Sequence, residues 1–595
     1  MRVKIAPYFV SLAFALALSS CGGEHQPSSP VTHAAAITIT NGNNQSASVG
    51  VTLSQPLVVV VTDSAGRPLA RATVIWRVGQ GGGTVDQFAT VTNSAGTTST
   101  HWTIGTKVGT YTLTASVGTL NTAFTATGTP GPATTVLITT PAASLLTEDV
   151  AQLTADVFDA YGNPISEAPL TWESSDLWVA EISAAGLLTA IHPGQVSISA
   201  AAEQAAGAIS LKVDPKITFS FGPEEIVFHH STDSCEPLDV PDTSAHAIRL
   251  PDGTLTLLDG DAPTTYSMFG ADFNSLHRLC VPVFRSDDSW YPDTFDNQEW
   301  ISASYLEGSV IHALVHVEYH DPISPNCAPG DTHPGNRCWY NSITYASSVD
   351  NGRTFTHATP PQHLIAGPAQ KWDSVNAPYP PYGYFAPSQI VNGQDGYYYS
   401  VFRSILPTSG LQTNCVMRTK TLSDPDSWRA WDGTGYGLHM TDPYTEPPAP
   451  VCTPVEPEGF ILPEPTLTFN SYLGKYMLVG RSWEPNPPIC VFAYSLSSDL
   501  IHWTPIQTIR RYYVAWEGCP PPSGQKTEMY PSVIDHNDTT PNFEVAGQTP
   551  FLYFTRFEDP YLDRDLVRVP MTITVHQSTL PQMKNSMPAR NATSR

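Results

Sequence analysis

Three glutamates occupy comparable places near the starts of short strand-like segments in the C-terminal half of the chain. Glu299 and Glu464 each begin such a segment, and Glu528 lies two residues before the start of another. Carboxyl groups that meet around one pocket can cleave a glycosidic bond, one as acid and the other as base or nucleophile. We predict that these glutamates are catalytic, together with Asp261, which ends a strand pair of an earlier segment. The alternative is that these acids bond to neighbouring segments or bind a structural cation.

A second set of polar residues ends the strands that follow. The aligned positions are Asp261, His316, Arg403, Arg481 and Arg556, and Glu318 and His320 continue the face of His316. We predict that the histidines, Glu318 and the arginines bind substrate, with Trp300 and Tyr530 as aromatic surfaces for sugar rings. The alternatives are salt bridges between segments and ordinary packing. One alternating His-x-Glu-x-His stretch is thin evidence for a metal, and we predict no metal site.

These residues belong to a repeat of about 70 residues between 216 and 580, which shows no helical periodicity. Two units share an identical spacing from Pro to Gly to Arg, with Pro387 and Arg403 in one and Pro465 and Arg481 in the other. A third unit near Tyr530 differs only in a loop, and two earlier units fit more loosely. Radial repetition of strand–turn–strand units predicts a five-bladed β-propeller.

Two hairpin motifs lie in third strands of these units. The segment 348–355, Ser-Val-Asp-Asn-Gly-Arg-Thr-Phe, resembles the Asp-box of sialidases and related propellers, and 495–503 resembles a hairpin of five-bladed glycosidases of the arabinanase and xylosidase type. The resemblance implies a glycosidase scaffold with carboxylates at the axis. The three arginines resemble the sialidase arginine triad, but Arg249-Leu250-Pro251 runs straight into a turn and departs from that pattern.

Residues 35–130 and 131–214 predict two β-modules. Each contains an Asp-x-x-Gly-x-Pro turn, at Asp63–Pro68 and Asp159–Pro164, followed by a tryptophan typical of a sandwich core. The first resembles the bacterial Ig-like group 1, invasin-type repeat, and the second the group 2 repeat. The resemblance implies rigid spacers, and adhesion to a receptor or glycan is the alternative.

The N-terminus predicts export. Arg2 and Lys4 precede an apolar stretch too short to span a bilayer, and small residues lead to Cys21. This resembles a bacterial lipobox, which implies a signal peptide over 1–21, lipidation of Cys21 and a tether over 22–34. We expect an exported protein, lipid-anchored at the bacterial cell envelope. Residues 581–595 are expected to be a disordered tail.

The charge and the cysteine content of the chain limit which partners and cross-links it is expected to have. A net charge of −25 argues against nucleic acid as a ligand, so the membrane contact is expected through the lipid alone. After Cys21 the eight remaining cysteines all follow position 234, and an even number in an exported protein favours disulfides. Cys327 and Cys338 flank a turn-rich loop and are predicted to pair. No cofactor is expected to be required, although a structural Ca²⁺ at the axis is left open, and we expect a monomer.

The sequence therefore predicts an all-β chain of two Ig-like sandwiches and a five-bladed β-propeller. Its predicted function is that of a surface glycoside hydrolase acting on extracellular oligo- or polysaccharide. The alternative is a non-catalytic lectin or adhesin propeller displayed on an Ig-like stalk. Two carboxyl groups about 5–10 Å apart in an open pocket would favour hydrolysis.

Overall fold

The computed structural model describes residues 33–576 except 261, 288, 322–338, 376–380, 407–408, 448, 458, 486–487, 515–517 and 560–561. The predictions for Asp261, Cys21, Cys327 and Cys338 lie outside the described residues. The described part of the chain is nearly all β, and within it there is one short helix (His230–Asp233) and one 3-10 turn (Pro425–Ser427). None of the helices described is long and apolar enough to cross a membrane. The chain divides at residue 216 into two compact bodies, which are described separately.

The first module of the N-terminal body is a sandwich of a three-stranded sheet (β1-β3-β7) and a five-stranded sheet (β2-β10-β9-β4-β6), and it also contains a two-stranded sheet (β5-β8). Buried and partly buried residues alternate along β3, and its buried residues pack with Trp76 and Leu113 of the other sheet in one core. The strands are β1 (Ala36–Asn41), β2 (Gln45–Ser48), β3 (Leu57–Thr62), β4 (Thr73–Val78), β5 (Gly83–Val85), β6 (Ala89–Val91), β7 (Thr97–Thr100), β8 (Trp102–Ile104), β9 (Gly109–Val117) and β10 (Leu120–Thr129).

The second module has sheets of order β12-β19-β18-β15, β13-β17-β16 and β11-β14. Its strands are β11 (Ala133–Thr139), β12 (Ser144–Leu146), β13 (Val150–Gln152), β14 (Thr154–Asp159), β15 (Thr171–Ser174), β16 (Ala180–Ile182), β17 (Leu187–Ala190), β18 (Gly194–Ala202) and β19 (Ala205–Asp214). Its Asp-x-x-Gly-x-Pro turn meets the first module. There the buried Asn163 amide donates to Thr106 O (2.8 Å) and its Oδ1 accepts from Val108 N (3.2 Å). These bonds tie the two modules together.

The described part of the C-terminal body contains four larger sheets. The ten-stranded one is divided here at its parallel strand pair, which gives five consecutive groups of mainly antiparallel strands, here called sheets 1 to 5. Sheet 1 contains β22 (His246–Arg249), β23 (Leu255–Leu258), β25 (Ser267–Gly270) and β26 (His277–Arg278). Sheet 2 contains β28 (Gln298–Glu307), β29 (Val310–His320), β30 (Trp339–Ser348), β31 (Thr356–His357) and β32 (Leu364–Ala366). Sheet 3 contains β33 (Tyr382–Phe385), β34 (Val391–Asn392), β35 (Tyr398–Ile405), β36 (Gln412–Thr419) and β37 (Arg429–Ala430).

Sheets 4 and 5 complete this body. Sheet 4 contains β38 (Thr466–Asn470), β39 (Lys475–Pro485), β40 (Pro488–Ser497), β41 (Gln507–Arg511) and β43 (Val545–Ala546). Sheet 5 contains β42 (Thr527–Ile534), β44 (Phe551–Phe557) and β45 (Arg564–His576), joined by β20 (Lys216–Phe221) and β21 (Glu225–Phe228) from the start of the body. A small β24 (Thr264–Thr265) and β27 (Phe284–Arg285) pair lies apart.

The five sheets contact one another in cyclic order. Strand β22 of sheet 1 contacts both β28 of sheet 2 and β42 of sheet 5, β35 contacts β38, and β38 contacts β42. A parallel pair, β30 with β33, joins sheets 2 and 3. Five separate buried cores lie between sheets 1 and 2, 2 and 3, 3 and 4, 4 and 5, and 5 and 1. Each sheet is therefore covered on both faces by its neighbours.

Local features of the sequence account for several turns and cross-links. In the Asp-box, Gly352 (φ 74°) lets the chain turn while Asp350 accepts from Thr354 N (2.9 Å), and Phe355 is buried. The prediction that the cysteines after position 234 form disulfides is confirmed for three pairs: Cys235–Cys280, Cys415–Cys452 and Cys490–Cys519.

Candidate functional site

A cavity of about 590 Å³ opens where all five sheets of the C-terminal body meet. Each sheet, or the segment leading into it, contributes side chains to its wall. They include Asp242, Trp300, Ser302, His316, Glu318, Trp339, Phe385, Arg403, Gln412, Glu464, Arg481, Met529, Tyr530 and Arg564. Seven residues that the sequence predicted for the site are among them: Glu464, Arg403, Arg481, His316, Glu318, Trp300 and Tyr530.

Three of the wall residues adopt an uncommon backbone conformation. Ala386, Glu464 and Tyr530 have φ values of 38°, 44° and 54°, and each precedes a proline. Left-handed geometry is costly for residues with a Cβ, and it persists where the surrounding structure enforces it, often at functional sites. The repeated Pro of the sequence units thus marks the bend at which each chain segment turns its side chain into the cavity.

Glu464 lies between two arginines. Its Oε2 accepts from Arg481 Nε at 2.5 Å, and its Oε1 lies 3.5 Å from Arg403 Nη1. Burial raises the pKa of Glu464, but the charge and hydrogen bond of Arg481 and the charge of Arg403 outweigh burial, so the net pKa lies below its ordinary value. Glu464 is therefore an ionised carboxylate at neutral pH.

Glu318 faces the same cavity from sheet 2. Its Oε2 lies 3.0 Å from His320 Nε2, and its Oε1 lies 3.7 Å from His316 Nε2. Burial raises the pKa of Glu318, but the hydrogen bond of His320 and the charges of His316 and His320 outweigh burial, so the net pKa lies below its ordinary value. Glu318 too is ionised, and His320 holds it from outside the wall.

Asp242 is the third carboxylate of the cavity. Its Oδ1 accepts from the Tyr530 hydroxyl (3.0 Å) and from the Arg564 guanidinium. Burial and the charge of Asp242 raise the pKa of Tyr530 well above its ordinary value, so its hydroxyl keeps its proton. Tyr530 can therefore donate a hydrogen bond to a ligand or to Asp242.

Aromatic rings complete the wall. The Trp300 and His316 rings lie 5.7 Å apart, His316 is 5.8 Å from Phe385, and the Arg403 guanidinium lies 5.0 Å over the Phe385 ring. Flat rings beside carboxylates and guanidinium groups form a wall that can bind a polar ring with an apolar face.

Glu299 lies outside the cavity. In the β28–β29 ladder Trp300 pairs with His316, whereas Glu299 pairs with Val317 and so belongs to the opposite face of the strand. It is fully buried, and His357 Nε2 is 4.0 Å from its Oε2. Glu299 was predicted to face the cavity, and this was wrong by one residue because its unit lacks the proline that marks the bend.

Glu528 and Arg556 also lie outside the cavity wall. Glu528 bonds Arg510 Nη2 at 2.5 Å, and Arg556 bonds Glu558 (2.7 Å) and Asp565 (3.2 Å). Glu528 was predicted to lie on the same face as Tyr530 because the two residues are two positions apart. A bulge between Met529 and Ser532 breaks that alternation, so the two side chains diverge.

Seven of the wall residues named above were not among the predicted site residues: Asp242, Ser302, Trp339, Phe385, Gln412, Met529 and Arg564. Trp339, Gln412 and Arg564 each begin the third strand of a sheet, opposite the end of the second strand, for example Trp339 opposite His320. The predicted antiparallel hairpins could have identified them, because the start of a third strand returns to the edge where the second ends. Asp242 lies in the segment before the first strand, which carries no repeat signal.

No group of three or more His, Cys, Asp or Glu side chains within the described part of the chain has an arrangement that could hold a metal ion. The structural Ca²⁺ left open by the sequence stays untested.

No family model and no curated protein matches the sequence. Among solved structures, the chain is similar to an endo-arabinase from Bacteroides thetaiotaomicron (10% identity, 58% of this chain and 97% of that one, TM-score 0.33). It is also similar to an alpha-L-arabinanase mutant from Cellvibrio cellulosa (10% identity, 55% and 90%, TM-score 0.30) and to the Escherichia coli adhesin FdeC (14% identity, 49% and 94%, TM-score 0.26). At these identities and TM-scores, function has to be argued from the cavity itself.

Proposed function

We propose that the C-terminal body is a five-bladed β-propeller whose axis opens into the cavity. The cyclic contacts of its five sheets and the five cores between them support this arrangement. Closure of the ring by β20 and β21, which pair with the last strand β45, supports it further, because the two ends of the body then share one sheet.

We propose that this cavity cleaves glycosidic bonds. The observation that carries the proposal is the convergence of three carboxylates from three different sheets, Asp242, Glu318 and Glu464, on one aromatic-lined cavity. Glu464 and Glu318 are ionised and suit the role of base or nucleophile. Asp242 is the remaining carboxyl group of the described wall and completes the set, with the Arg564 guanidinium and the Tyr530 hydroxyl bonded to it.

Glycan binding without cleavage is the second candidate. It is favoured by the lowered pKa values of Glu318 and Glu464, since hydrolysis needs one carboxyl group that still holds a proton. A lectin would use the same ion pairs only to hold the wall in place.

The test is hydrolysis of a panel of chromogenic glycosides and plant and microbial polysaccharides by the full chain. Glu464→Gln keeps the size of the side chain and removes its charge, so sugar release should fall at least about 100-fold if Glu464 is catalytic. Glu528→Gln is the matched control, since that glutamate pairs with Arg510 away from the cavity. No release by the wild type, with retained binding on a glycan array, would establish the lectin instead.

We propose further that the chain acts at the bacterial cell envelope, held by a lipid on Cys21, with the two sandwich modules as Ig-like spacers. The hydrogen bonds of Asn163 between the modules support a rigid spacer. Carbohydrate is the proposed partner, and a monomer is the proposed state.

A further inference from the structure

A second cavity, of about 400 Å³, adjoins the central one. The two share Arg403, Gln412 and Arg481 in their walls. The second cavity extends along sheet 4 to Trp483 and the Cys490–Cys519 disulfide. A molecule in the central cavity therefore has a neighbouring space that it can enter past the two arginines.

Trp483 is the unusual residue of this second cavity. It lies two residues after Arg481 in β39, so both side chains project from the same face of the strand. Its side chain is 58% exposed, like that of Trp290 (63%), which lines neither cavity, whereas Trp300, Trp372, Trp428 and Trp503 of the same body are buried. An exposed indole in a cavity wall offers a flat apolar surface beside the polar groups of Arg481 and Arg403.

The surroundings of Trp483 are held firmly. Trp483 pairs with Cys490 across the β39–β40 ladder, and the Cys490–Cys519 disulfide ties that strand to the next segment. Tyr512 N donates to Cys490 O (3.1 Å), and the Tyr512 ring stacks on Phe492 with centroids 4.7 Å apart. A wall fixed in advance lowers the entropic cost of binding.

We propose that Trp483 forms a second sugar subsite, next to the one at Glu464, so that the protein recognises saccharide chains of at least two units. This inference rests on the proposed function. Arg481 links the subsites, because it bonds Glu464 in the first and lines the second. The ligand class is thus a glycan chain rather than a single terminal sugar.

The experiment measures binding of arabino-, xylo- and galacto-oligosaccharides of one to five units to the full chain by calorimetry. Trp483→Ala should weaken binding of two or more units by about three- to tenfold, the worth of one aromatic contact, and leave single sugars unaffected. Trp483→Phe should restore most of the loss. Trp290→Ala, which removes another exposed tryptophan of this body outside both cavities, is the matched control and should change nothing.

Two results would overturn the inference, and they differ from failure of the proposed function. If the wild type binds these chains but Trp483→Ala binds every length as the wild type does, the subsite is absent while the central site stands. Equal weakening for single sugars and for chains would also reject a separate subsite. If the wild type binds no saccharide of any length, both proposals fail together.

Discussion

Replacing Glu299 by Gln should stabilise the C-terminal body increasingly as the pH rises. Glu299 is fully buried between sheets 1 and 2, and neither of its carboxyl oxygens has a hydrogen-bond partner among the described residues. Burial, and then the charges of Asp296 and Asp287, raise its pKa well above the ordinary value. The folded state therefore favours the protonated acid.

The direction in which stability changes with pH follows from the linkage between proton binding and folding. A folded-state pKa above the unfolded one means that the native state binds more protons, so stability is full below pH about 4.5 and falls as the pH rises toward the folded pKa. The loss approaches about 1.4 kcal/mol for each pH unit in that window. Gln cannot titrate, so its own cost, about 1–3 kcal/mol for unpaired amide groups, is independent of pH.

Calorimetric unfolding of the full chain between pH 4 and 8 measures this difference. The stability of Glu299→Gln relative to the wild type should rise with pH, and sugar release should be retained because Glu299 lies outside the cavity. Glu464→Gln is a useful comparison, because its effect on stability should change with pH in the opposite direction. The lowered pKa of Glu464 means that its stabilising charge is present above its unfolded pKa and lost on acidification, so this variant should be the less stable protein at neutral pH and approach the wild type in acid. A difference between Glu299→Gln and the wild type that stays constant across the range would refute the reasoning.

Two further predictions concern the N-terminal half of the chain. Asn163→Ala removes the amide that bonds Thr106 and Val108 across the module junction, at a cost of about 1 kcal/mol for each bond, and X-ray scattering should then show a wider spread of module orientations. Unchanged scattering would mean that these bonds do not hold the junction. Cys21→Ser should abolish incorporation of a radiolabelled fatty acid by expressing bacteria and release the protein from the membrane fraction, and labelling that survives this change would rule out the lipid anchor on Cys21.

Much of the prediction of the site residues depended on the repeated prolines, because each proline follows a bent residue at the start of an inner segment. Pro387 and Pro465 follow the two bent residues Ala386 and Glu464, so the sequence spacing located the start of each inner segment and the arginine at the end of its partner strand. In these two units the predicted residues line the cavity, whereas in the unit of Pro531 Tyr530 lines it and Arg556 does not. His316 was predicted from its aligned place at the end of a second strand, Glu318 from alternation along β29, and Trp300 as an aromatic residue near a strand end.

The same alternation failed where the ladder is irregular. An error of one residue in the alignment of a strand assigns every side chain to the wrong face, as happened for Glu299. A bulge changes the face within a single strand, as between Glu528 and Tyr530. Bulges depend on pairing with a distant strand, and no local pattern around Glu528 signals one. Asp242 and Arg564 come together from 322 residues apart, a contact that depends on closure of the ring of sheets.

If the cavity binds glycans as proposed, its ion pairs also determine which kind of sugar it suits. The wall holds three arginines and three carboxylates. Arg481 and Arg403 flank Glu464, and Arg564 bonds Asp242. An acidic sugar would have to compete with these internal carboxylates for each guanidinium, and it would meet the negative charge of Glu318 as well. In the sequence, Arg403, Arg481 and Arg556 resemble a clamp for a ligand carboxylate, but the arginines of the cavity wall are Arg403, Arg481 and Arg564. Since each contacts a carboxylate of the protein itself, the arrangement favours a neutral glycan.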